Sequence, residues 1–220
     1  MLATKPPVIW WIDPVQTPEE IAKDIAAVIG PPTQERRLIA IAGPPASGKS
    51  TIAEALQKHL VQSGVATGLV PMDGFHLDNA IIEPRGLLPR KGSPETFDLA
   101  GFASLLTRLR VEDDLAVPTF DRNLDKSIGS SAMVTRDMRT IVVEGNYLLL
   151  DETGWRDLTQ HWTTSVFLYV PIAELERRLQ QRWLDHGLDA QTANARAMGN
   201  DIPNARRVND NRLPADYVVA

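Results

Sequence analysis

The sequence contains no cysteine, which excludes disulfide bonds, thiolate metal sites and a cysteine nucleophile. Its four histidines are scattered along the chain and lack the paired spacing of a structural zinc site. A strong excess of positive charge is also missing, since 23 basic residues stand against 28 acidic ones and the net charge is −5. Proteins that bind nucleic acid usually have a clear basic balance, so we do not expect a nucleic-acid partner.

Long apolar segments are absent as well. The N-terminal run from Val8 to Ile12 stops at Asp13, and it is too short for a signal-peptide core or a membrane-spanning helix. We therefore expect a cytoplasmic protein without membrane association. A chain of 220 residues can bury one sizeable core. We expect a single domain over residues 1–220, in which no motif assigns a role to residues 1–36.

The spacing of apolar residues predicts alternating helices and strands. Residues 18–29 have helical spacing with Thr17 as the N-cap, and residues 37–42 form a short apolar run typical of a buried strand. Further helices are expected at residues 99–109, 172–184 and 190–198, and further strands at residues 65–71, 116–119, 140–143, 166–170 and 216–219. This order predicts an α/β three-layer sandwich around a parallel sheet of about five strands. The Gly- and Pro-rich stretch at residues 73–98 is expected to be a functional loop.

A complete phosphate-binding loop, or P-loop, follows the first of these strands. The stretch GPPASGKS fits G-x-x-x-x-G-K-[ST] and precedes a helical pattern. Glycines let successive backbone N–H groups point at phosphate oxygens, and the start of the helix adds its positive end. The expected ligands are ATP and Mg²⁺, with Lys49 on the phosphates and Ser50 on the metal. The candidate nucleotide-binding residues are Gly43, Pro44, Pro45, Ala46, Ser47, Gly48, Lys49, Ser50 and Thr51.

Two acidic residues follow apolar strands elsewhere in the chain. Asp73 ends the predicted second strand, and Glu144 follows the run Ile141 to Val143. Ligands of open α/β sheets bind at the carboxyl ends of strands, so both carboxylates are expected near the P-loop. Asp73 could accept the proton of an attacking hydroxyl or hold a metal-bound water, and Glu144 could hold Mg²⁺.

As a set, these motifs resemble the family of uridine kinase, phosphoribulokinase and type-I pantothenate kinase. The similarity extends over MDGFH, RKGSPETFD, VVEGNYLLLD, RRLQQRW and NDIPNARRV, in the family's order from about residue 38 to the C-terminus. The branch called pantothenate-kinase-like or fructose transport system kinase is the most similar. The resemblance implies a small-molecule kinase that phosphorylates a hydroxyl group of a sugar, a nucleoside or a pantothenate-like alcohol, with fructose weakly favoured. Relatives are often dimers, so a homodimer is possible.

The resemblance also implies roles for individual residues. Asp73 would be the catalytic base, and Glu144 would contact Mg²⁺ or the acceptor. Residues 174–200 would form a mobile lid, in which Arg178 and Arg182 contact phosphate. Asn200 and Arg206 would lie near the adenine. The acceptor pocket would include His76, Arg90, Glu144, Asn146 and Tyr147.

One stretch departs from the family pattern. Pantothenate kinase and phosphoribulokinase have a histidine two residues after an aromatic, following the third strand, whereas this chain has Phe120-Asp121-Arg122. The departure disfavours pantothenate and ribulose 5-phosphate as acceptors.

Two other classes of protein remain as alternatives. A regulatory GTPase would use the DxxG of Asp151 to Gly154, but the chain has no N-K-x-D element for guanine. A nucleotide-binding module without turnover would have lost residues that carry the chemistry, whereas Lys49, Ser50, Asp73 and Glu144 are all present. A protein kinase is excluded because HRD and DFG triplets are missing.

Overall fold

A parallel β-sheet with helices on both faces organises the chain. The structure is a computed structural model that describes residues 8–10 and 16–220. The strands are β1 (Val8–Trp10), β2 (Arg37–Ala42), β3 (Thr67–Pro71), β4 (Leu115–Asp121), β5 (Lys126–Val134), β6 (Thr140–Gly145), β7 (Thr164–Leu168) and β8 (Tyr217–Val219). The α-helices are α1 (Pro18–Ile29), α2 (Lys49–Gln62), α3 (Asn79–Ile82), α4 (Leu99–Val111), α5 (Ile172–Asp185), α6 (Ala190–Arg196) and α7 (Ile202–Asp210). None of the helices within residues 16–220 is long and apolar enough to cross a membrane.

The central sheet has the order β1-β8-β7-β2-β6-β3, and all its neighbours run parallel. Side chains of β2 alternate between the two faces, because strand residues point to opposite sides with period two. Leu38 and Ala40 pack in the core beneath α4, whereas Ile39 and Ile41 pack against α1 and α2. The predicted three-layer α/β sandwich is thus confirmed.

The predicted strands and helices are largely found, with three differences. Part of the N-terminal apolar run forms β1 at one sheet edge, which gives six strands instead of about five, while residues 11–12 lie outside the described residues. Residues 116–119 do form a strand, but β4 pairs antiparallel with the unpredicted β5 in a separate hairpin. The expected loop at residues 73–98 contains four short helical turns, one of them α3, and continues directly into α4.

Helix α1 shows how local chemistry fixes an element boundary. Thr17 accepts a hydrogen bond from the Glu20 backbone N–H, and the Glu20 carboxylate accepts one from the Thr17 backbone N–H at 2.8 Å. This capping box satisfies donors that a helix start leaves free. The predicted N-cap is therefore confirmed.

Candidate active site

The P-loop joins the end of β2 to the start of α2. Gly48 has φ +88°, a left-handed conformation that glycine adopts without the cost a Cβ would add. The turn is closed by the Ser47 N–H, which donates to the Pro44 carbonyl at 3.1 Å. The Ser47 hydroxyl is buried with no hydrogen-bond partner among the described residues. The loop therefore leads directly into the N-terminus of a 14-residue helix, where backbone N–H groups can bind phosphate.

A cleft of about 480 Å³ opens from the P-loop. Pro45, Ala46, Gly48, Lys49, Ser50 and Thr51 line its floor. The walls come from three other parts of the chain: the segment after β3, the β4–β5 hairpin and the α5–α7 region. The other three predicted nucleotide-binding residues, Gly43, Pro44 and Ser47, are buried within the loop and do not line the cleft.

Asp73 lies on a short helical turn directly after β3 and lines the cleft opposite the P-loop. Its carboxylate is 3.5 Å from the Arg122 guanidinium. The Asp73 backbone carbonyl accepts a hydrogen bond from His76 Nδ1 at 2.8 Å. A carbonyl can only accept, so Nδ1 must carry the proton, and Nε2 is left as an acceptor in neutral His76. Burial lowers the pKa of His76 and keeps this neutral form, although the Asp73 charge opposes the shift.

Glu144 lies near the end of β6, in register with Pro71 of β3 and Ile41 of β2. It is buried, and its Oε2 has no hydrogen-bond partner among the described residues. Burial raises the pKa of Glu144 above its usual value, while the Lys49 charge and a hydrogen bond from Ser50 lower it. A carboxylate held beside the P-loop serine is suited to a divalent cation, which would offset the burial of charge.

The three arginines of α5, of which Arg178 and Arg182 were predicted to contact phosphate, differ in position. Arg182 lines the cleft, and burial together with the nearby Arg122 lowers its pKa. Arg178 is paired with Glu174 at 2.8 Å and donates to the Ala46 carbonyl of the P-loop at 3.3 Å. Arg177 is exposed and also pairs with Glu174. Arg182 is thus inside the cleft, Arg178 is at its rim, and Arg177 faces solvent.

The C-terminal helical region supplies two amides to the cleft. Asn200 lies in a π-helical turn between α6 and α7, and its Nδ2 donates to the Lys91 carbonyl at 2.9 Å. Asn204 donates to Asn200 Oδ1, and its own Oδ1 is buried without a partner among the described residues. Arg206, by contrast, is exposed and 3.3 Å from Glu176. The structure therefore places Asn200 at the cleft but not Arg206.

Four residues were predicted at the acceptor pocket besides Glu144, and two of them lie elsewhere. His76 and Asn146 line the cleft. Tyr147 is fully buried, and this burial raises the pKa of its hydroxyl. The hydroxyl donates a hydrogen bond to the Gly92 carbonyl at 2.5 Å. Arg90 is exposed outside the cleft. The structure thus places neither Tyr147 nor Arg90 at the cleft. The tyrosine ring joins an aromatic core with Phe97 and Trp155, and Lys91, the residue after Arg90, turns inward.

Several cleft residues were missed from the sequence. The β4–β5 hairpin contributes Phe120, Arg122 and Asp125. Gly74 permits this approach, because a Cβ there would lie 2.5 Å from the Pro118 carbonyl oxygen. The helical region contributes Trp183, whose Nε1 donates to Asp201 at 2.7 Å. The only available signal was the aromatic and arginine at 120 and 122, where the family pattern has an aromatic and a histidine.

The DxxG segment considered for a GTPase lies away from this cleft. The Asp151 backbone N–H donates to the Asn211 carbonyl at 2.8 Å, and Glu152 pairs with Arg207. None of residues 151–154 lines the P-loop cleft. The segment is thus used to anchor the C-terminal helix, which removes the observation that favoured a switch.

Known proteins resemble the chain in sequence and in structure. No protein-family model matches it. YggC, an uncharacterized protein of Escherichia coli, is 35% identical over 189 residues, which cover 84% of this chain and 78% of YggC. A candidate uridine kinase of Schizosaccharomyces pombe, C227.14, is 31% identical over 84% of this chain and 83% of its own length. The crystal structure of a candidate fructose transport system kinase from Silicibacter sp. TM1040 matches with a TM-score of 0.86 at 49% identity, covering 92% of this chain and 98% of that one.

Proposed function

The chain belongs to the uridine kinase-like family of ATP-dependent P-loop kinases, and we propose that it transfers the γ-phosphoryl group of Mg-ATP to a hydroxyl group of a small polar molecule. The observation that carries the proposal is that Asp73 lines the same cleft as Lys49 and Ser50 of the P-loop. A carboxylate opposite a phosphate site can accept the proton of an attacking hydroxyl.

In the proposed mechanism, the P-loop amides and Lys49 hold the phosphates of ATP. Asp73 orients the acceptor hydroxyl and takes its proton as the oxygen bonds to the γ-phosphorus, and the bond to the ADP oxygen breaks. Arg182 neutralises charge on the transferring group, as arginines do in other phosphoryl transfers. His76 positions Asp73 through the hydrogen bond to the Asp73 carbonyl.

Ser50 and Glu144 would hold Mg²⁺. Magnesium sites in kinases use one or two protein ligands together with substrate phosphates and water. This fits a chain in which residues 16–220 contain no cluster of three or more His, Asp or Glu side chains arranged for a metal. The unpartnered Glu144 Oε2 beside Ser50 is the supporting observation. Bound there, the ion would neutralise charge on the β- and γ-phosphate oxygens.

The helical arm from α5 to α7 would act as the lid, somewhat longer than the predicted residues 174–200. It places Arg182, Trp183 and Asn200 over the cleft, and its Arg178 contacts the P-loop carbonyl of Ala46. Closing such an arm excludes water from the transfer site and suppresses ATP hydrolysis. A sugar such as fructose is our first candidate acceptor, because a candidate fructose transport system kinase is 49% identical to this chain.

The proposal is tested by ADP release from Mg-ATP across sugars, nucleosides, pantothenate and pentose phosphates. For an accepted substrate, Asp73→Asn should lower kcat by roughly 100-fold or more while nucleotide affinity stays unchanged. Lys49→Ala should weaken both nucleotide binding and turnover. Asp157→Asn, an exposed aspartate outside the cleft, is the matched control and should behave like the wild type.

Normal turnover by Asp73→Asn would exclude Asp73 as the base. Unchanged nucleotide affinity in Lys49→Ala would contradict the whole scheme. Tight ATP binding with no turnover on any acceptor would favour the alternative, a nucleotide-binding module.

A further inference from the structure

The cleft is positively charged although the whole chain has a net charge of −5. Five cationic side chains line it: Lys49, Lys91, Arg122, Arg182 and Arg196. Three carboxylates line it: Asp73, Asp125 and Asp201. Local fields of this kind raise the concentration of anions in a cleft.

Most of these cations already have a partner or a role. Lys49 is the P-loop lysine and faces the ATP phosphates in the proposed mechanism. Lys91 is saturated, since its Nζ lies 2.7 Å from both the Asp125 carboxylate and Asn79 Oδ1. Arg196 lies over the Trp183 ring, 5.1 Å from its centroid. Arg182 also lies over the Trp183 ring, 5.9 Å from its centroid, and it has no carboxylate partner among the described residues. The contact that Arg122 makes is the one with Asp73 at 3.5 Å.

These two guanidiniums are close enough that the Arg122 charge lowers the pKa of Arg182. Among the described residues, no carboxylate lies within ion-pair distance of Arg182, and the cleft carboxylate that Arg122 reaches is Asp73 at 3.5 Å. Arg182 projects from the helical arm and is suited to the transferring phosphoryl group. Arg122 projects from the hairpin tip beside Asp73 and is therefore on the acceptor side.

The Arg122–Asp73 contact conflicts with the role of a base. An acceptor hydroxyl must reach the carboxylate that Arg122 contacts, so the guanidinium has to move aside when the acceptor binds. Arg122 therefore needs another anion to bind when the acceptor occupies Asp73. In the proposed mechanism the ATP phosphates are held by the P-loop amides, Lys49 and Arg182, so Arg122 is assigned to an anion that the acceptor supplies.

We propose that the acceptor alcohol itself carries an anionic group, a carboxylate or a phosphate monoester, and that Arg122 binds this group. The inference rests on the proposed kinase function and narrows the acceptor from a neutral sugar such as fructose to an anionic alcohol such as a sugar phosphate. Acceptor binding then draws Arg122 away from Asp73 and frees the carboxylate to take the hydroxyl proton. Without an acceptor, Arg122 keeps Asp73 occupied, which restrains its activation of water and so limits ATP hydrolysis.

Two amide oxygens suggest that the acceptor also has further hydroxyl groups. Asn146 Oδ1 and Asn204 Oδ1 are buried without a partner among the described residues, and both residues line the cleft. Buried acceptors of this kind are normally satisfied by a donor from a ligand or a water. A hydroxy acid or a sugar phosphate carries both the anion for Arg122 and hydroxyl donors for these amides.

The test uses matched pairs of acceptors that differ only in the anion. Glycerate and glycerol 3-phosphate are compared with glycerol, fructose 6-phosphate with fructose, and ribose 5-phosphate with ribose. ADP release is measured with the full-length wild type, Arg122→Gln and Arg122→Lys. We expect an anionic member to exceed its neutral counterpart in kcat/KM by about 10- to 100-fold, the value of a charged hydrogen bond. Arg122→Gln should abolish this preference, and Arg122→Lys should keep part of it.

A second measurement is independent of turnover. Inorganic phosphate and glycerate are titrated calorimetrically into protein saturated with Mg²⁺ and a non-hydrolysable ATP analogue, so that the P-loop is already filled. Binding to the wild type should be about tenfold tighter than to Arg122→Gln. Arg136→Gln, an exposed arginine at the other end of the hairpin, is the matched control and should bind like the wild type.

The outcomes separate the two proposals. A neutral acceptor preferred over its anionic counterpart, or a preference that survives Arg122→Gln, overturns the anion proposal and leaves the kinase function standing. If no acceptor is turned over, equal anion binding by the wild type and Arg122→Gln overturns it as well. Arg122-dependent anion binding with no turnover on any acceptor supports the anion site and counts against the kinase function.

Discussion

At the scale of single residues, the burial of the Glu144 carboxylate lowers stability but suits a metal ligand. Its carboxylate is 5% exposed, and Oε2 lacks a hydrogen-bond partner among the described residues. Burying an incompletely paired charge destabilises the native state. A bound divalent cation would remove this cost, so the residue makes sense as a ligand but not as a stabilising core group.

Glu144→Gln should therefore stabilise the ligand-free protein and weaken its response to Mg-ATP. The native pKa of Glu144 is raised above the ordinary value of 4.5, so the unfolded state ionises first and the wild type loses stability as pH rises through the native pKa. Glutamine cannot ionise. At about pH 8 the variant's thermal midpoint should exceed that of the wild type, with each kcal/mol of added unfolding free energy raising it by roughly 2–4 °C. The difference between the two midpoints should disappear toward about pH 4.

Thermal unfolding of both proteins with and without Mg-ATP measures the two effects together. Glu54→Gln, on an exposed position of α2, is the control and should not change the pH dependence. A Glu144→Gln protein that is less stable at every pH would show that the carboxylate is structurally required, and would remove the argument for a metal ligand.

Some site residues could be predicted from the sequence and others could not. Asp73 and Glu144 follow apolar strands, and the carboxyl ends of parallel strands meet at one sheet edge, so their proximity to the P-loop was predictable. Whether Tyr147 and Arg90 reach the site depends on the direction in which each side chain leaves an irregular backbone. The burial of Tyr147 with Phe97 and Trp155 is a long-range packing effect that periodicity does not contain.

At the scale of elements, the β4–β5 hairpin controls the acceptor side of the cleft. Its tip is held by Lys91, which bonds to both the side chain and the backbone carbonyl of Asp125. Lys91 also lies 5.4 Å from the centroid of the Phe120 ring. Deeper in the hairpin, the Ser127 hydroxyl donates to the Gly74 carbonyl beside Asp73. The hairpin is therefore tied to the turn that carries the proposed base.

Lys91→Met should loosen the hairpin tip without touching the P-loop. We expect kcat/KM for the acceptor to fall about tenfold, because Arg122 and Phe120 lose their fixed positions, while ATP affinity stays unchanged. Stability should fall by only about 1 kcal/mol, since Asp125 can turn to solvent when its partner is lost. Steady-state kinetics with each substrate varied in turn would separate the two constants.

Lys126→Met is the matched control on the same hairpin. Lys126 is exposed, and its contact with Asp78 is long, at 3.8 Å, and therefore of little energetic value. Equal effects of the two substitutions on kcat/KM for the acceptor would mean that the positive charge of the hairpin region, and not the bonds of Lys91 to Asp125, determines how the hairpin acts.

The hairpin was also the element that sequence patterns predicted least well. The buried strands of the main sheet are continuous apolar runs, which stand out in the sequence. Strand β5 reads KSIGSSAMV and is mostly exposed, with a loose alternation and a glycine in its middle. It is stabilised by pairing with β4 and by contacts to distant residues such as Gly74, and no local signal reports these.

At the scale of the whole molecule, the described residues form three separate apolar clusters. Two lie on the faces of the central sheet, and the third lies within the helical arm. The arm cluster consists of Leu175, Leu179, Ala197, Ile202 and Ala205. It meets the P-loop at Ala46, which packs on the cluster and accepts from Arg178. An element with its own core can move as a unit, and this contact would transmit the state of the P-loop to it.

Binding of Mg²⁺ with a non-hydrolysable ATP analogue should therefore order the helical arm. Backbone amides of residues 172–210 should exchange with deuterium about tenfold more slowly, while those of β2 and β6 change little because the sheet is already fully packed. Trp183 lines the cleft and should report the same event by fluorescence, and the signal should vanish in Trp183→Phe. If calorimetry shows saturated nucleotide binding without slower exchange in the arm, the arm is a fixed wall, and exclusion of water must come from the acceptor itself.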